Sequence, residues 1–269
     1  MSLTVPHNGT TSVAPHEPAV SALDRFRLDD RVVIVTGGSS GLGVAFAQAC
    51  AGAGADVVVA ARRADRLETT LELVRDAGRD GLAVTADVSS EQDCRRIVEE
   101  TVERFGRLDV LVNNAGVAES RPAAQLTGFD FQRVLDVNVT ACFNMARAAA
   151  EHMPCGSSIV NVSSVMGLTT IEVPSSAYSA SKAAVLGLTR ALAREWTLSK
   201  GIRVNAILPG FFPSEMTPAV VAQMLSHRLA MGRLGDPDEL AAAVVFLASD
   251  ASSYMTGAEL LVDGGFMLT

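Results

Sequence analysis

Short runs of apolar, mostly β-branched residues alternate with longer stretches of helical periodicity along most of the chain. Seven such runs predict strands: RVVIVT, DVVVAA, LAVTAD, LDVLVNN, SSIVNVSS, IRVNAIL and ELLVDG. Because the runs are nearly continuous in Val, Ile and Leu, the strands should be buried on both faces, which indicates a parallel sheet between two layers of helices. The predicted fold class is therefore α/β: a single-domain, doubly wound Rossmann fold with a seven-stranded parallel sheet.

The stretches between these runs carry apolar residues at helical spacing. They predict helices over residues 64–77, 91–105, about 129–153 and about 176–199, besides an Ala-rich helix after the first strand. Residues 1–24 combine three prolines with small and polar residues and show no sustained period, so we expect a flexible N-terminal tail. One folded domain is expected over residues 25–269, because the composition does not change along them.

Composition and charge exclude several classes of function. Hydrophobic residues make up 48% of the chain and charged residues 19%, as in globular domains with a buried core. No run reaches the roughly 18 apolar residues of a membrane span, and the N-terminus lacks the features of a secretory signal, so we expect a cytoplasmic protein without membrane contact. The net charge of −8, without a basic stripe, disfavours nucleic acid as a partner.

Four cysteines, Cys50, Cys94, Cys142 and Cys155, lie in or beside apolar helical stretches. Their spacing matches neither a zinc site nor a redox pair, so we expect no bound metal. Buried or unreactive thiols in a reducing compartment are the interpretation that fits this pattern.

A glycine-rich turn, GGSSGLG, follows the first predicted strand. Gly37, Gly41 and Gly43 allow a sharp turn and a close approach of the backbone to a pyrophosphate, and the following helix offers free N–H donors. The hydroxyls of Ser39 and Ser40 can add further hydrogen bonds. The alternative is a glycine-rich turn without a ligand, but its place directly after the first buried strand favours a dinucleotide site.

The end of the second predicted strand indicates which dinucleotide is bound. A carboxylate at this position would bind the adenosine ribose hydroxyls of NAD, but the chain has Ala61 there, followed by Arg62 and Arg63. A guanidinium group suits the 2′-phosphate of NADP. NADP(H) is therefore favoured, while NAD(H) stays possible, since the two arginines could instead begin a solvated helix.

A tyrosine and a lysine stand four residues apart, at Tyr178 and Lys182, in a predicted helix that begins after Pro174. A free tyrosine has a pKa near 10, so acid and base catalysis near neutral pH requires a fall of roughly 3 units, which a neighbouring lysine cation favours. Ser164 follows a strand at the sheet edge where ligands bind. Taken alone, the Tyr–Lys pair could be a chance surface pair; together with the serine and the glycine turn it predicts a catalytic site.

The order of these motifs resembles that of the short-chain dehydrogenase/reductase family, in its 3-oxoacyl reductase-like and alcohol dehydrogenase-like branch, over residues 26–267. The motifs are TGGSSGLG at 36–43, Asp87-Val88 after the third strand, NNAG at 113–116, Asn138 in DVNVT, Ser164, Tyr178 with Lys182, and Pro209-Gly210. The resemblance implies an enzyme that interconverts a secondary alcohol and a ketone by hydride transfer with a nicotinamide cofactor.

The resemblance also implies roles for individual residues. Tyr178 would be the general acid and base, and Lys182 would lower its pKa and hold the nicotinamide ribose. Ser164 would orient the substrate oxygen, and Asn138 would hold a water in a proton relay. Ser214 would take the place of a threonine that the family often has, together with the backbone of Phe212. The implied cofactor-binding residues are Gly37, Ser39, Ser40, Gly41, Leu42, Gly43, Arg62, Arg63, Asp87, Val88, Asn114, Ala115, Gly116, Tyr178, Lys182, Pro209, Gly210, Phe212 and Ser214.

Three segments, 117–122, 166–175 and 211–231, are expected to line the substrate pocket. Their apolar side chains favour a small, apolar substrate, although they could equally pack a helix onto the domain. Residues 148–157 lack the basic cluster expected for binding an acidic carrier protein, which disfavours a carrier-bound substrate. The apolar residues concerned are Met166, Leu168, Ile171, Val173, Phe211, Phe212, Met216, Val220, Val221 and Met224.

Assembly and reaction type are also predicted from the resemblance. The last helix and strand imply a homotetramer, and the small residues at 148–150 and 191–193 would allow close packing between subunits, although a contact within one chain would look the same. Two other functions stay open: a nucleotide-binding sensor or scaffold without turnover, and an epimerase or dehydratase on the same fold. The intact Ser164, Tyr178 and Lys182 argue against the sensor or scaffold.

Overall fold

The computed structural model describes residues 21–215 and 227–268. Within these ranges the strands are β1 Val32–Thr36, β2 Asp56–Ala61, β3 Gly81–Thr85, β4 Val110–Asn113, β5 Ser158–Val162, β6 Arg203–Pro209 and β7 Glu259–Val262. They form one parallel sheet in the order β3-β2-β1-β4-β5-β6-β7. The predicted seven-stranded, doubly wound sheet is confirmed. Its topology reverses between β1 and β4, and ligands bind at such a reversal, beyond the carboxyl ends of the strands.

The helices that cover the sheet are α1 Leu42–Gly52, α2 Ala64–Asp76, α3 Glu91–Phe105, α4 Gly128–Leu135, α5 Ala141–Ala150, α6 Ser176–Lys200 and α7 Pro237–Ala248. Alternate residues of each strand face opposite layers. In β1, Val33 and Val35 pack in the same apolar cluster as residues of α1, α2 and α7. Val32 and Ile34 pack with residues of α3, α5 and α6 on the other face. This two-sided burial is the reason why the strand sequences are continuously apolar.

Local capping explains where α3 begins and ends and where α7 begins. Ser90 accepts a hydrogen bond from the backbone of Asp93 at the start of α3, and Gly106 ends that helix with a φ of 75°. The predicted range 91–105 is confirmed. At α7, Asp236 and Glu239 form a capping box around a proline in the first turn.

The prediction of one continuous helix over residues 129–153 is wrong, because the helix is interrupted. The structure has α4, then a π-helical segment Asp136–Thr140, then α5. Asn138 lies in the π-helical segment and is 3% exposed, and its amide group bonds to Val117 and Ser181. Such π-helical insertions occur frequently at functional sites. The apolar periodicity does not reveal the insertion, because it displaces the helical pattern by only one residue.

Three of the four cysteines, Cys50, Cys94 and Cys142, are buried, as predicted, but Cys155 is exposed. Cys155 lies in the turn between α5 and β5. Among the described residues, no cluster of His, Cys, Asp and Glu side chains is able to hold a metal ion. No helix within the described ranges combines the length and the apolar character that crossing a membrane requires.

Most of the predicted tail, residues 1–20, lies outside the residues that the structure describes. Asp24–Phe26 form a short 3-10 helix, and Leu28 is fully buried. The backbone N–H of Leu28 donates to the carbonyl oxygen of Ala53 at 2.8 Å, which attaches the segment before β1 to the end of α1. The flexibility of residues 1–24 stays a prediction.

Candidate active site

A cleft of about 590 Å³ lies at the carboxyl edge of the sheet, where the segments after β1, β2, β3 and β4 meet. This volume falls in the range of small-molecule and cofactor sites. Most of the residues predicted to bind a cofactor line this cleft: Gly37, Ser39, Ser40, Gly41, Leu42, Gly43, Arg62, Arg63, Asp87, Val88, Asn114, Ala115, Gly116 and Ser214. The structure thus brings together residues that are separated by up to 177 positions in the sequence, from Gly37 to Ser214.

The glycine turn after β1 has the geometry of a dinucleotide cradle. Gly37 and Gly41 have positive φ angles of 69° and 55°, which side chains rarely adopt. A Cβ on Gly43 would lie 2.3 Å from the carbonyl oxygen of Gly37, so only glycine lets α1 pack this closely. Gly41 precedes α1 and has no side chain to satisfy the first N–H groups of the helix, which suits a phosphate at this position.

Thr36 and Asn114 join the glycine turn to the segment after β4. The backbone N–H groups of Asn114 and Ala115 each donate to Thr36 Oγ1 at 3.0 Å. The side-chain amide of Asn114 donates to the carbonyl oxygen of Thr36 at 2.9 Å. Thr36 was not among the predicted site residues, although a hydroxyl at the last position of a buried strand is a signal that could have indicated it.

The residues after β2 and β3 form the other end of the cleft. Arg62 and Arg63 both line it, together with Asp87 and Ser89. Asp87 Oδ1 accepts hydrogen bonds from the backbone N–H and the hydroxyl of Ser89, at 3.0 and 2.8 Å. Two ionic residues that the sequence interpretation missed, Glu215 and Arg66, meet at this end: Glu215 lines the cleft and pairs with both Arg63 and Arg66.

The four residues predicted to be catalytic converge beside the cleft. Lys182 Nζ lies 5.6 Å from the centre of the Tyr178 ring and donates to the carbonyl oxygen of Val162 at 2.8 Å. A Cβ built on Gly116 would lie 3.3 Å from Asn138 Oδ1 and 3.6 Å from Lys182 Nζ.

The fourth member, Ser164, follows β5 and accepts a hydrogen bond from the backbone of Met166 at 3.1 Å. Its side chain also lies close enough to the Tyr178 hydroxyl to lower the pKa of that group. Serine, tyrosine and lysine therefore occupy one small region.

Asn138 uses its side chain to position the backbone. Its Oδ1 accepts from the N–H of Val117 at 2.8 Å, and its Nδ2 donates to the carbonyl of Val117 at 3.0 Å and to Ser181 Oγ at 2.9 Å. Because both amide hydrogens are used, the side chain has no N–H left to donate to a water. The water-holding role of Asn138 stays a prediction.

Burial shifts the proton equilibria of the Tyr–Lys pair. Burial lowers the pKa of Lys182 to about 8. Burial also raises the pKa of Tyr178, while the hydrogen bond with Ser164 lowers it. The contacts of the protein alone therefore do not produce the predicted fall in the tyrosine pKa. The main cause is burial, which disfavours the charged phenolate, and the ammonium of Lys182 donates to the carbonyl oxygen of Val162, at 2.8 Å.

Pro209 and Gly210 are not among the described residues that line the cleft. Pro209 ends β6, and Gly210 packs against Asp263, since a Cβ on Gly210 would lie 2.6 Å from Asp263 Cα. The prediction that the side chain of Phe212 lines the pocket is wrong. It is 5% exposed and packs in the core, where a Cβ on Gly235 would lie 2.2 Å from its ring. The ring packs in the same apolar cluster as residues of α7, and it is not among the described residues that line the cleft.

An apolar group next to Tyr178, which we call the Tyr178 cluster, forms the other candidate wall. The rings of Phe211 and Phe266 meet edge to face with their centres 5.0 Å apart. Leu168 is 49% exposed, and the predicted pocket residues Met216, Val220, Val221 and Met224 lie outside the described residues. The Tyr178 cluster consists of Val165, Met166, Ile171, Tyr178, Phe211, Leu229, Leu234 and Phe266.

Besides Tyr178 itself, three members of the Tyr178 cluster, Val165, Leu234 and Phe266, lie outside the segments that were predicted to line the pocket. Phe266 comes from the segment after β7, and Leu234 from the loop before α7. Their apolar character was visible, but nothing local in the sequence places either segment beside Tyr178.

A doubly wound sheet with a glycine-rich turn after β1, and with Ser164, Tyr178 and Lys182 at the same edge, is the architecture of a Rossmann-type oxidoreductase. A family model described as enoyl-(acyl carrier protein) reductase matches residues 37–267. The chain belongs to the short-chain dehydrogenase/reductase family, and the proteins to which it is similar are named as dehydrogenases and reductases.

Individual relatives are similar over nearly the whole chain. The cis-4-hydroxycyclohexanecarboxylate dehydrogenase of Sinomonas cyclohexanicum is 42% identical over 243 residues, which cover 88% of this chain and 96% of that protein. A short-chain type dehydrogenase/reductase from Mycobacterium marinum has a TM-score of 0.89 and 35% identity, covering 93% of this chain and 100% of that one. A short-chain dehydrogenase from Burkholderia cenocepacia, solved with NADP, has a TM-score of 0.86 and 35% identity, covering 90% and 99%.

Proposed function

We propose that this protein interconverts a secondary alcohol and a ketone by hydride transfer, with NADP(H) as the favoured cofactor. The observation that carries the proposal is the convergence of Ser164, Tyr178 and Lys182 beside a cleft lined by the glycine turn and by two arginines. The glycine positions fit a dinucleotide, because neither position has room for a side chain and the turn stays close to the sheet. A Cβ on Gly43 would lie 2.3 Å from the carbonyl oxygen of Gly37, and a Cβ on Gly37 would lie 2.9 Å from the Cα of Ala115. The NADP-bound relative from Burkholderia cenocepacia supports the cofactor class.

In the proposed mechanism the chain's own residues bind the substrate oxygen and move one proton. Ser164 donates a hydrogen bond to that oxygen and orients it. Tyr178 gives its phenolic proton to the oxygen in the direction of reduction and takes the proton back in the direction of oxidation. A bound nicotinamide supplies or accepts the hydride. Lys182, held on the carbonyl of Val162, places a positive charge beside the phenol and favours its ionised form.

The substrate we favour has an apolar body and a carboxylate. The Tyr178 cluster supplies apolar contacts, and the guanidinium of Arg228 lies 5.0 Å from the centre of the Phe266 ring in that cluster. Arg228 also donates to Glu172 at 2.8 Å, a surface carboxylate with 71% of its side chain exposed. A substrate carboxylate would exchange with such an exposed partner at modest cost. The relative that is named for a hydroxycyclohexanecarboxylate supports this class.

The first test is a titration of the purified protein with NADPH and with NADH, followed by nicotinamide fluorescence, in the wild type and in Arg62→Ala. We expect tighter binding of NADPH, and we expect Arg62→Ala to reduce the difference. Preferred binding of NADH, unchanged by the substitution, would refute the NADP assignment. Oxidation of cis-4-hydroxycyclohexanecarboxylate and of cyclohexanol would then be assayed. A product with the oxidation state of the substrate would indicate the epimerase or dehydratase alternative instead.

We further propose a homotetramer. Helix α6 presents a face of small residues, Ala183, Ala184, Gly187 and Ala191, all exposed in the single chain. Of the residues that the sequence offered for close packing between subunits, 148–150, 192 and 193 are at most 5% exposed and pack within the chain, whereas Ala191 is exposed. The test is light scattering of the wild type and of Gly187→Glu: we expect the wild type at four times the chain mass, and a smaller assembly for the variant.

A further inference from the structure

A carboxylate of the chain itself lies where Arg62 and Arg63 follow β2. The two oxygens of Glu215 accept hydrogen bonds from Arg63 Nη1 at 3.3 and 3.2 Å, and Glu215 also forms an ion pair with Arg66. Arg63 Nη2 donates to Ser40 Oγ at 2.7 Å, and this hydroxyl lies 3.5 Å from Glu215. A guanidinium group expected to bind the phosphate of a cofactor is therefore already paired with an anion.

This pairing depends on the tertiary structure rather than on a local helix contact. Glu215 is 152 positions from Arg63 and 149 from Arg66 in the sequence. It stands in the segment after β6, whereas the two arginines lie at the start of α2. Both Arg63 and Glu215 line the cleft that holds the predicted cofactor residues. The fold thus places an acid among the residues that surround the adenosine end of the site.

A second ion pair on α2 provides a contrast. Glu68 and Arg75 pair with 55% and 53% of their side chains exposed, similar to the 58% of Glu215. Neither Glu68 nor Arg75 is among the described residues that line the cleft. The Glu68–Arg75 pair has the properties of an ordinary surface ion pair. A substitution of Glu68 therefore shows what the loss of an exposed carboxylate does by itself, and it serves as the control for Glu215.

A phosphate monoester and a carboxylate bind guanidinium in the same way, through charge-assisted hydrogen bonds. The hydrogen bonds from Arg66 and Arg63 lower the pKa of Glu215, so its carboxylate is ionised near neutral pH. An exposed ion pair of this kind contributes little to stability, so a doubly charged phosphate can displace it. While it stays in place, it repels that phosphate.

We propose that Glu215 is a specificity-determining residue that competes with the 2′-phosphate of NADP(H) for Arg63 and Arg66, and that leaves NAD(H) binding unchanged. The proposal rests on the nicotinamide dinucleotide site proposed above. Its consequence is that the natural chain distinguishes the two cofactors less strongly than Arg62 and Arg63 alone would. NADP(H) binding has to overcome a competing anion, whereas NAD(H) has no phosphate at this position.

The test compares the wild type with Glu215→Gln and with the matched control Glu68→Gln. Dissociation constants are measured for NADPH, for NADH, and for the fragments 2′,5′-ADP and 5′-AMP, which isolate the subsite from catalysis. We expect Glu215→Gln to bind NADPH and 2′,5′-ADP about 3- to 20-fold more tightly, because the phosphate then no longer has to displace one or two ion pairs. NADH and 5′-AMP should change by less than about 2-fold. Glu68→Gln should leave all four constants unchanged.

A combined substitution separates competition from a structural effect. In a background that lacks both Arg63 and Arg66 (Arg63→Ala with Arg66→Ala), Glu215→Gln should no longer improve NADPH binding by more than about 2-fold, because both guanidinium groups for which it competes are absent. Equal changes for NADPH and NADH, or weaker NADPH binding, would overturn the role of Glu215 while leaving the cofactor site intact. If the wild type prefers NADH but Glu215→Gln still gains NADPH affinity, the NADP preference fails and the role of Glu215 holds. Binding of neither cofactor would overturn both.

Discussion

The cofactor cleft and the Tyr178 cluster occupy the same edge of the sheet but are built in different ways. The cleft is formed by backbone turns that directly follow β1 to β4, and its key contacts are hydrogen bonds of glycine, asparagine and threonine. The Tyr178 cluster collects side chains from four segments that are distant in sequence, such as Met166, Phe211 and Phe266. The cleft is therefore specified by the turn after each strand and by hydrogen bonds between neighbouring strand ends, and the cluster by side-chain packing across the chain. Substitutions in the two regions should consequently affect different ligands.

The largest expected effect concerns Tyr178. Tyr178→Phe removes the proton donor and acceptor but keeps the ring that packs on the cluster. We expect turnover to fall by about 10³-fold or more, while the dissociation constant of the cofactor changes by less than about 2-fold. Steady-state kinetics and cofactor titration measure the two quantities. Substantial residual turnover would contradict the proposed role of Tyr178.

Lys182 lies between the two regions, and its burial has a cost in stability. Its pKa falls from the ordinary 10.5 to about 8, so burying the ammonium opposes folding by about 3 kcal/mol at pH 7. We expect Lys182→Met to abolish turnover but to raise the free energy of unfolding at pH 7, by about 2 kcal/mol once the lost hydrogen bond to Val162 is subtracted.

The difference in the free energy of unfolding between Lys182→Met and the wild type should depend on pH. Below pH 8 both the folded and the unfolded chain carry the proton on Lys182, and the cost of burial is complete. Between about pH 8 and 10.5 the unfolded chain binds more protons, so wild-type stability rises with pH relative to the variant. Urea unfolding of both proteins at pH 7, 8 and 9 should show a shrinking difference. A difference that is constant with pH would contradict the depressed pKa.

Gly43 tests the local geometry of the cofactor cleft. Its Cβ would lie 2.3 Å from the carbonyl oxygen of Gly37, so Gly43→Ala must displace the glycine turn from α1. We expect cofactor affinity to fall by about 10- to 100-fold. The matched control is Gly52→Ala in the same helix, where a Cβ meets no described atom within 4 Å. The control should bind cofactor normally and gain up to about 1 kcal/mol of stability.

Phe211 tests the Tyr178 cluster and should have the smallest effect. Phe211→Ala removes the ring that meets Phe266 edge to face, so kcat/KM for an alicyclic substrate should fall by about 5- to 30-fold. Cofactor affinity should stay within about 2-fold. Phe129→Ala, at a ring that is 78% exposed on α4, is the control and should change neither quantity. If Phe211→Ala weakened the cofactor instead, the division into two regions would be wrong.

Features that depend on neighbouring residues could be predicted from the sequence. The strand and helix alternation follows from apolar periodicity, and α3 was predicted at its observed bounds. The glycine turn and the Tyr178–Lys182 spacing are also local, since one is a turn after a strand and the other is one turn of a helix. The family resemblance then assigned the cofactor-binding residues, most of which line one cleft.

What the sequence by itself determined about this protein is the α/β class, the order of its strands and helices, and the candidate chemistry at each strand end. Only the tertiary structure decided which distant residues meet. It placed Glu215 against Arg63 and Arg66, buried Phe212 in the core, and inserted a π-helical segment at Asp136–Thr140. The physical reason is that helix capping, turn geometry and apolar periodicity act over a few residues, whereas ion pairing and core packing select partners across the whole chain.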